Sequence, residues 1–281
     1  MIKRIEVSEI TPNINVADLI KLQKKYPGLP MAFGVELYGT KEHGNVQEID
    51  DGPTIRILRE LNAAKASAPH QTSVHLNYGY ADMFNRKVKF ETYILWNIIS
   101  KKTDRVVYNI NTLSDGQKQN FCMDNLFRLL DTKANLKSKH FTNSEYFIVV
   151  NAEASMDFIA EKILDYNGRY AQWRARLSQN LLSLMFENNF DDWAAHPEDT
   201  DNDTLGLVAS RFWPRSWCGG IGPDNVKSAM DTLRRKFYGR IDKIDISARG
   251  GVMTDGKADM DKIEALMKNA NEWLTAAAKQ R

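Results

Sequence analysis

The chain has 281 residues, 43% apolar and 26% charged, and its 38 basic and 36 acidic residues leave a net charge of +2. That composition is globular, and the length is normal for a single α/β barrel. Balanced charge gives no case for nucleic acid or a membrane surface as a partner, and no apolar run is long enough for a signal core or a bilayer span.

Short β-rich runs alternate with longer helical patterns. IKRIEVSE (2–9) reads as the first strand, and VADLIKLQKKY (16–26) as a helix stopped by Pro27-Gly28. MAFGVELY (31–38) is the second strand, followed by a helix over about 53–66 with Pro53 in its first turn. TSVHLN (72–77) is the third strand, before a helix at 90–100. RVVYNIN (105–111) is the fourth, before a helix at 121–130. YFIVVNAE (146–153) precedes a helix at 156–177, and LLSLMFE (181–187) precedes an acidic, polar stretch at 191–203. RSWCGGI (215–221) leads into a helix expected from Pro223 to residue 237, and KIDIS (243–247) leads to a closing helix at 259–279. Eight strands alternating with helices predict parallel pairing through crossovers, and a closed (β/α)8 TIM barrel over residues 1–281 is the simplest architecture. A doubly wound open sheet is the alternative.

In a barrel, chemistry gathers at the carboxyl ends of the strands. The polar residues there are Ser8, Glu9, Glu36, His75, Asn77, Asn109, Asn111, Asn151, Glu153, Glu187, Asn188, Asp245, Ser247 and Arg249. Any one of them can simply cap a helix or satisfy a loop amide. Together they predict one pocket. The seventh strand ends instead in glycines. Gly219 and Gly220 let backbone N–H groups approach an oxyanion, and the following helix adds its amino-terminal dipole. The eighth strand continues as SARGG, with Gly250 and Gly251 after Ser247 and Arg249. Loops after strands seven and eight are a frequent phosphate site in this architecture.

The segment GGIGPDNV (219–226), then DIS (245–247), DGKAD (255–259) and KIEALMKNA, resembles the tail of phosphoribosylanthranilate isomerase in order and spacing. The resemblance covers about a fifth of the chain. It implies that amides near Gly219, Gly220 and Gly250 hold a substrate phosphate, and that Glu187 stands where the family has its general acid. EVSEIT (6–11) puts Ser8 at the position of the family's catalytic cysteine. A serine without a base partner is a poor proton acceptor, so Glu9 or Glu36 are the replacements. The arginine that the family uses after its second strand maps near His43, and the family's glycine-rich loop after strand six is replaced by 191–203.

A second resemblance competes. GVELYG (34–39), SVHLNYGYADMF (73–84) and MFENN (185–189) resemble the sugar-phosphate isomerases and epimerases of the xylose-isomerase-like group. It implies a divalent metal held by His75, Glu153 and Glu187 with Glu36 or Asp191.

The sequence therefore predicts a barrel that isomerises a phosphoribosyl or phosphosugar compound by acid–base chemistry. Glu187 and Ser8 are the candidate catalytic positions. Glu36, His75, Asp245 and Arg249 are expected in the substrate pocket, and Gly219, Gly220, Ser247, Gly250 and Gly251 around the phosphate. No cofactor and no resident metal are expected in this reading, and the partner is a small phosphorylated substrate, with no nucleic acid or membrane. The two cysteines, Cys122 and Cys218, make no disulfide framework, so reduced thiols and a cytoplasmic monomer or homodimer are expected. The alternatives are the metal-dependent isomerase and a barrel that binds phosphosugars without turning them over. RYAQWRARL (169–177) reads as a solvated helix face, and Arg211 and Arg215 as candidate anion contacts.

Overall fold

A computed structural model describes residues 2–39, 52–78, 103–109, 111, 145–151, 182–187, 214–237 and 244–279. The elements in chain order are β1 (Ile2–Val7), α1 (Val16–Lys25), β2 (Met31–Gly39), α2 (Pro53–Ala64), β3 (Gln71–Tyr78), β4 (Arg105–Asn109), β5 (Glu145–Asn151), β6 (Leu182–Glu187), β7 (Pro214–Cys218), α3 (Val226–Phe237), β8 (Ile244–Ala248), β9 (Met253–Thr254), β10 (Lys257–Ala258) and α4 (Met260–Lys279). Each of β1 to β7 pairs in parallel with the next strand. Ile5 of β1 also aligns with Ile246 of β8, so the sheet curls round and meets itself. The units built on β1, β2, β7 and β8 carry their helices. The helices expected at 90–100, 121–130 and 156–177 lie outside the described residues.

Local chemistry accounts for the helix ends. The Asn15 Oδ1 accepts from the Ala17 N–H at 2.9 Å, satisfying one of the unpaired donors at the start of α1. Pro53 opens α2, where its missing N–H costs nothing. Asp259 opens α4, its Oδ1 accepting from the Asp261 and Lys262 N–H groups and its Oδ2 from the Thr254 hydroxyl. The DG pair of the DGKAD run forms the tip of the β9–β10 hairpin, with φ of +50° at Asp255 and +71° at Gly256, the two left-handed positions of a tight turn.

Strand alternation sends two sets of side chains to two different cores. Ile5, Val7, Phe33, Val35, Val74, Leu76, Ile246 and Ala248 join Leu19, Leu58, Leu61, Ile263 and Leu266 in the layer between sheet and helices. The other set faces the lumen. Around β4 to β7 it is apolar, a small cluster of Val107, Phe147, Val149 and Met185 with Cys218 beside it. Around β1 to β4 and β8 it is polar: Arg4, Glu6, Ser8, Glu36, Ser73, His75, Asn77, Arg105, Asp245 and Ser247 are all buried.

Candidate active site

Two tiers of polar side chains occupy the lumen. In the lower tier, Glu6 is fully buried. It accepts from Arg105 Nη1 at 2.7 Å and from the Ser73 hydroxyl, and the His75 Nε2 lies 3.0 Å from it. Burial alone would raise the Glu6 pKa; Arg105, then His75 and Ser73, overcome that and hold the carboxyl well below the usual carboxylate range. Asp245 takes Arg4 at 3.1 Å and lies 3.5 Å from Arg105 Nη2. Burial outweighs both guanidinium groups there, so its carboxyl is shifted upward. Arg4 also reaches Glu145 at 2.8 Å, with Lys3 at 2.6 Å on the other oxygen. Burial opposes ionisation of Glu145, but Arg4 and then Lys3 bring its pKa down to about 2. The guanidinium of Arg105 rests 4.3 Å over the Phe147 ring.

The upper tier lies at the carboxyl ends of the strands. Glu36 Oε2 accepts from the Asn77 amide at 3.0 Å, and the Asn77 Oδ1 accepts from the Asn109 amide at 3.0 Å. The Asn109 Oδ1 accepts from the Asn111 N–H at 3.2 Å, and the Asn111 side chain donates to Glu187 Oε2 at 2.7 Å. A continuous belt of amides thus joins Glu36 on β2 to Glu187 on β6. With eight strands paired in order, β2 and β6 are four steps apart, so the two carboxylates stand on opposite sides of the mouth. Arg249 sits between Glu9 at 2.8 Å and Glu36 at 2.9 Å. Cys218 aligns with both Glu187 and Ser247. Burial first, then the carboxylates of Glu187, Glu6 and Glu36, push its thiol well above the ordinary value, so it stays protonated and is no nucleophile.

The glycine-rich loops have a defined geometry. Gly219 and Gly220 take φ of +98° and +64°, which ends β7 at Cys218 rather than at residue 221 as the sequence suggests. Asn225 holds the loop: its Oδ1 accepts from the Gly222 N–H and its Nδ2 donates to the Gly220 carbonyl, both at 2.8 Å. The helix expected from Pro223 starts at Val226, because residues 223–225 form a turn first. A Cβ on Gly251 would stand 2.4 Å from the Ile221 carbonyl oxygen, so this glycine is there for the packing of one loop on the other, whereas among the described residues Gly250 has nothing within 4 Å of a Cβ. Gly220 and Gly250 are exposed at this end.

The structure sorts the residues singled out by sequence. Glu36, Glu187 and Arg249 lie at the mouth beside the loops of Gly219, Gly220 and Gly250. His75 and Asp245 lie lower, tied to Glu6 and to Arg4. Ser8 is buried, and its hydroxyl donates to the Ala248 carbonyl, 3.3 Å away. Ser247 is buried in the lumen, and among the described residues its Oγ finds no hydrogen-bond partner, nor do Ser216 Oγ and Asp245 Oδ1. Among the described residues no three of His, Cys, Asp and Glu are grouped to hold a metal ion. Glu153, Asp191, Asn188, His43, Cys122, Arg211 and the stretches 169–177 and 191–203 lie outside the described residues. Sequence reading passed over Arg4, Glu6, Ser73, Arg105 and Glu145. Their signal was the period-two run Arg4, Glu6, Ser8 and its counterpart Ser73, His75, Asn77, which reads as a solvent face in an open sheet but lines the lumen of a closed one.

No protein-family profile and no curated protein sequence matches the chain. Among solved structures it is similar to a monomeric form of dimeric phosphoribosylanthranilate isomerase from Thermotoga maritima, at 16% identity and a TM-score of 0.50, covering 97% of this chain and 100% of that one. It is also similar to D-psicose 3-epimerase with D-tagatose from Clostridium cellulolyticum H10, at 10% identity and a TM-score of 0.52, covering 99% of each chain. At these identities the likeness is one of fold, and the fold is that of the TIM barrels.

Proposed function

We propose that the chain is a single closed (β/α)8 barrel that isomerises a phosphoribosyl or phosphosugar compound by acid–base chemistry, without a cofactor. The observation that carries this reading is the pair of carboxylates, Glu36 and Glu187, standing across the mouth from each other. Two glycine-rich loops between β7 and β8 and their helices offer backbone to a phosphate. The folds it resembles belong to an isomerase and an epimerase, which supports the reaction class.

In this mechanism Glu187 donates a proton to the ring oxygen as the C1–O bond breaks. A glycosylamine then opens to its iminium; a free sugar opens to its aldehyde with the anomeric hydroxyl proton passing to Glu187, which returns it to O1 as the enol forms. Glu36 takes the proton from C2, and the electrons of that C–H bond form the C1–C2 double bond of an enol. Return of a proton to C1, with loss of the enol hydroxyl proton to Glu187, leaves the ketone at C2. Glu36 suits the role of base because the Asn77 amide and the Arg249 guanidinium fix its carboxylate at the mouth. Ser8 is replaced in that role, since its hydroxyl donates to the Ala248 carbonyl rather than to a base. Gly219, Gly220 and Gly250, with Ser247 beneath, are the proposed phosphate contacts. The partner is then the phosphorylated substrate alone, with no nucleic acid or membrane, and the protein acts in the cytoplasm as a monomer or homodimer.

The test is thermal stability in the presence of inorganic phosphate and a panel of phosphosugars, followed by turnover assays on those that bind. A ligand that binds only the folded state raises the melting temperature by mass action. Stabilisation by phosphate ligands that survives Gly220→Val in a folded variant would place the phosphate elsewhere.

A further inference from the structure

Where β7 and β8 meet the lower tier, Ser216 Oγ, Ser247 Oγ, Asp245 Oδ1, Arg105 Nε and Arg105 Nη2 are buried and, among the described residues, make no hydrogen bond. We propose that this cluster binds one internal water molecule as a fixed part of the barrel. The water donates one proton to Asp245 Oδ1 and the other to Ser247 Oγ, and it accepts from the Ser216 hydroxyl and from Arg105 Nη2. The inference is independent of the reaction proposed above.

The first argument is position. Ser216 and Asp245 are paired neighbours on β7 and β8, and Ser247 pairs with Cys218 two residues further on. Trp217 and Ile246, between them, pack into the outer core, so Ser216, Asp245 and Ser247 share the lumenal face. Neighbouring strands stand about 4.8 Å apart, and alternate residues along one strand about 6.6 Å. Short serine hydroxyls at such spacings are joined to a carboxylate through a water. Ser216 has no exposure, and Asp245 and Ser247 have 1%, so the cluster is sealed from bulk solvent. The second argument is chemistry. The unpaired atoms include a carboxylate oxygen that only accepts, guanidinium N–H groups that only donate, and hydroxyls that do both. A metal cation against Asp245 Oδ1 would face Arg4 and Arg105, which lie 3.1 and 3.5 Å from the other oxygen of the same carboxylate. An anion would face Asp245 itself, with Glu6 only 2.7 Å from Arg105 on the far side. Water is uncharged, donates twice and accepts twice, and buried waters bind where such polar atoms converge. It also ties the hydroxyls of β7 and β8 to the charged network of β1 and β4.

A high-resolution crystal structure of the full chain, with no ligand added, tests the inference. It should show one peak of density at hydrogen-bond distance, about 2.7–3.2 Å, from Asp245 Oδ1, Ser216 Oγ and Ser247 Oγ. Oxygen-17 relaxation dispersion reads the same site in solution, because a sealed water exchanges slowly with bulk. Ser216→Val places a methyl where the water sits, so the folded variant should lose one long-lived water relative to the wild type. Where that variant does not fold, the wild-type crystal structure decides alone. No peak beside Asp245 Oδ1 overturns the proposal. So does a peak at about 2.0–2.6 Å from these oxygens, which marks a metal ion. An unchanged count of long-lived waters in folded Ser216→Val overturns it as well.

Discussion

The lower and upper tiers of the lumen use the same residue types to opposite ends. Below, Glu6, Glu145 and Asp245 are matched by Arg4, Arg105 and Lys3, and Glu6 and Arg105 have no exposure at all. Above, Arg249 reaches Glu9 and Glu36, and the side-chain amides of Asn77 and Asn111 donate to Glu36 and Glu187. A buried carboxylate already matched by arginine is committed to structure. One held in place by amides is oriented but keeps its capacity to exchange a proton with a ligand. The contrast teaches that burial of charge alone does not mark the site; what marks it is a carboxylate at a strand end held by side-chain amides.

That contrast can be broken most forcefully from below. Arg105→Leu leaves Glu6 without its main partner where neither side chain has any exposure, and should cost about 3–5 kcal/mol in urea unfolding. A loss under about 1 kcal/mol would mean the lower tier is not structural. Glu145 gives a pH test of the same tier. Its pKa is depressed from 4.5 to about 2 by Arg4 and Lys3, so the stability it contributes is present in full above pH 4.5 and is lost as pH falls towards 2. Glu145→Gln should flatten that part of the stability curve by about 2–3 kcal/mol. A smaller effect sharpens the comparison at the loops. Gly251→Ala forces a carbon against the Ile221 carbonyl and should cost about 1–3 kcal/mol, whereas Gly250→Ala, in open space, should stay within about 0.5 kcal/mol. Equal costs for the two would contradict the division between a packing glycine and one available to ligand.

The outer core was legible because Ile5, Val7, Val35, Leu76 and Ile246 follow the strand period and their helices follow 3.6. The glycine loops were legible because left-handed positions leave few alternatives to glycine. The start of α3 was misplaced by three residues, since the turn at 223–225 is held by Asn225, a side-chain contact that no periodicity records. The lower tier was missed for a deeper reason. Arg4 and Glu6 lie on β1, Arg105 on β4 and Asp245 on β8, and only the curling of the sheet brings these strands close enough to pair them. The belt from Glu36 to Glu187 is of the same kind: each asparagine was visible at its strand end, but which carboxylates they join depends on the ring.

The central claim is that Glu36 and Glu187 act together on a phosphosugar bound across the mouth. Proton NMR of a pentose phosphate incubated with the protein in heavy water tests it directly. The account predicts that the C2 proton signal is lost and a ketose appears with the wild-type chain, and that Glu36→Gln and Glu187→Gln each slow this by about 100-fold or more while remaining folded. A sugar phosphate that binds yet keeps its C2 proton, or exchange that is unchanged in both variants, would contradict it.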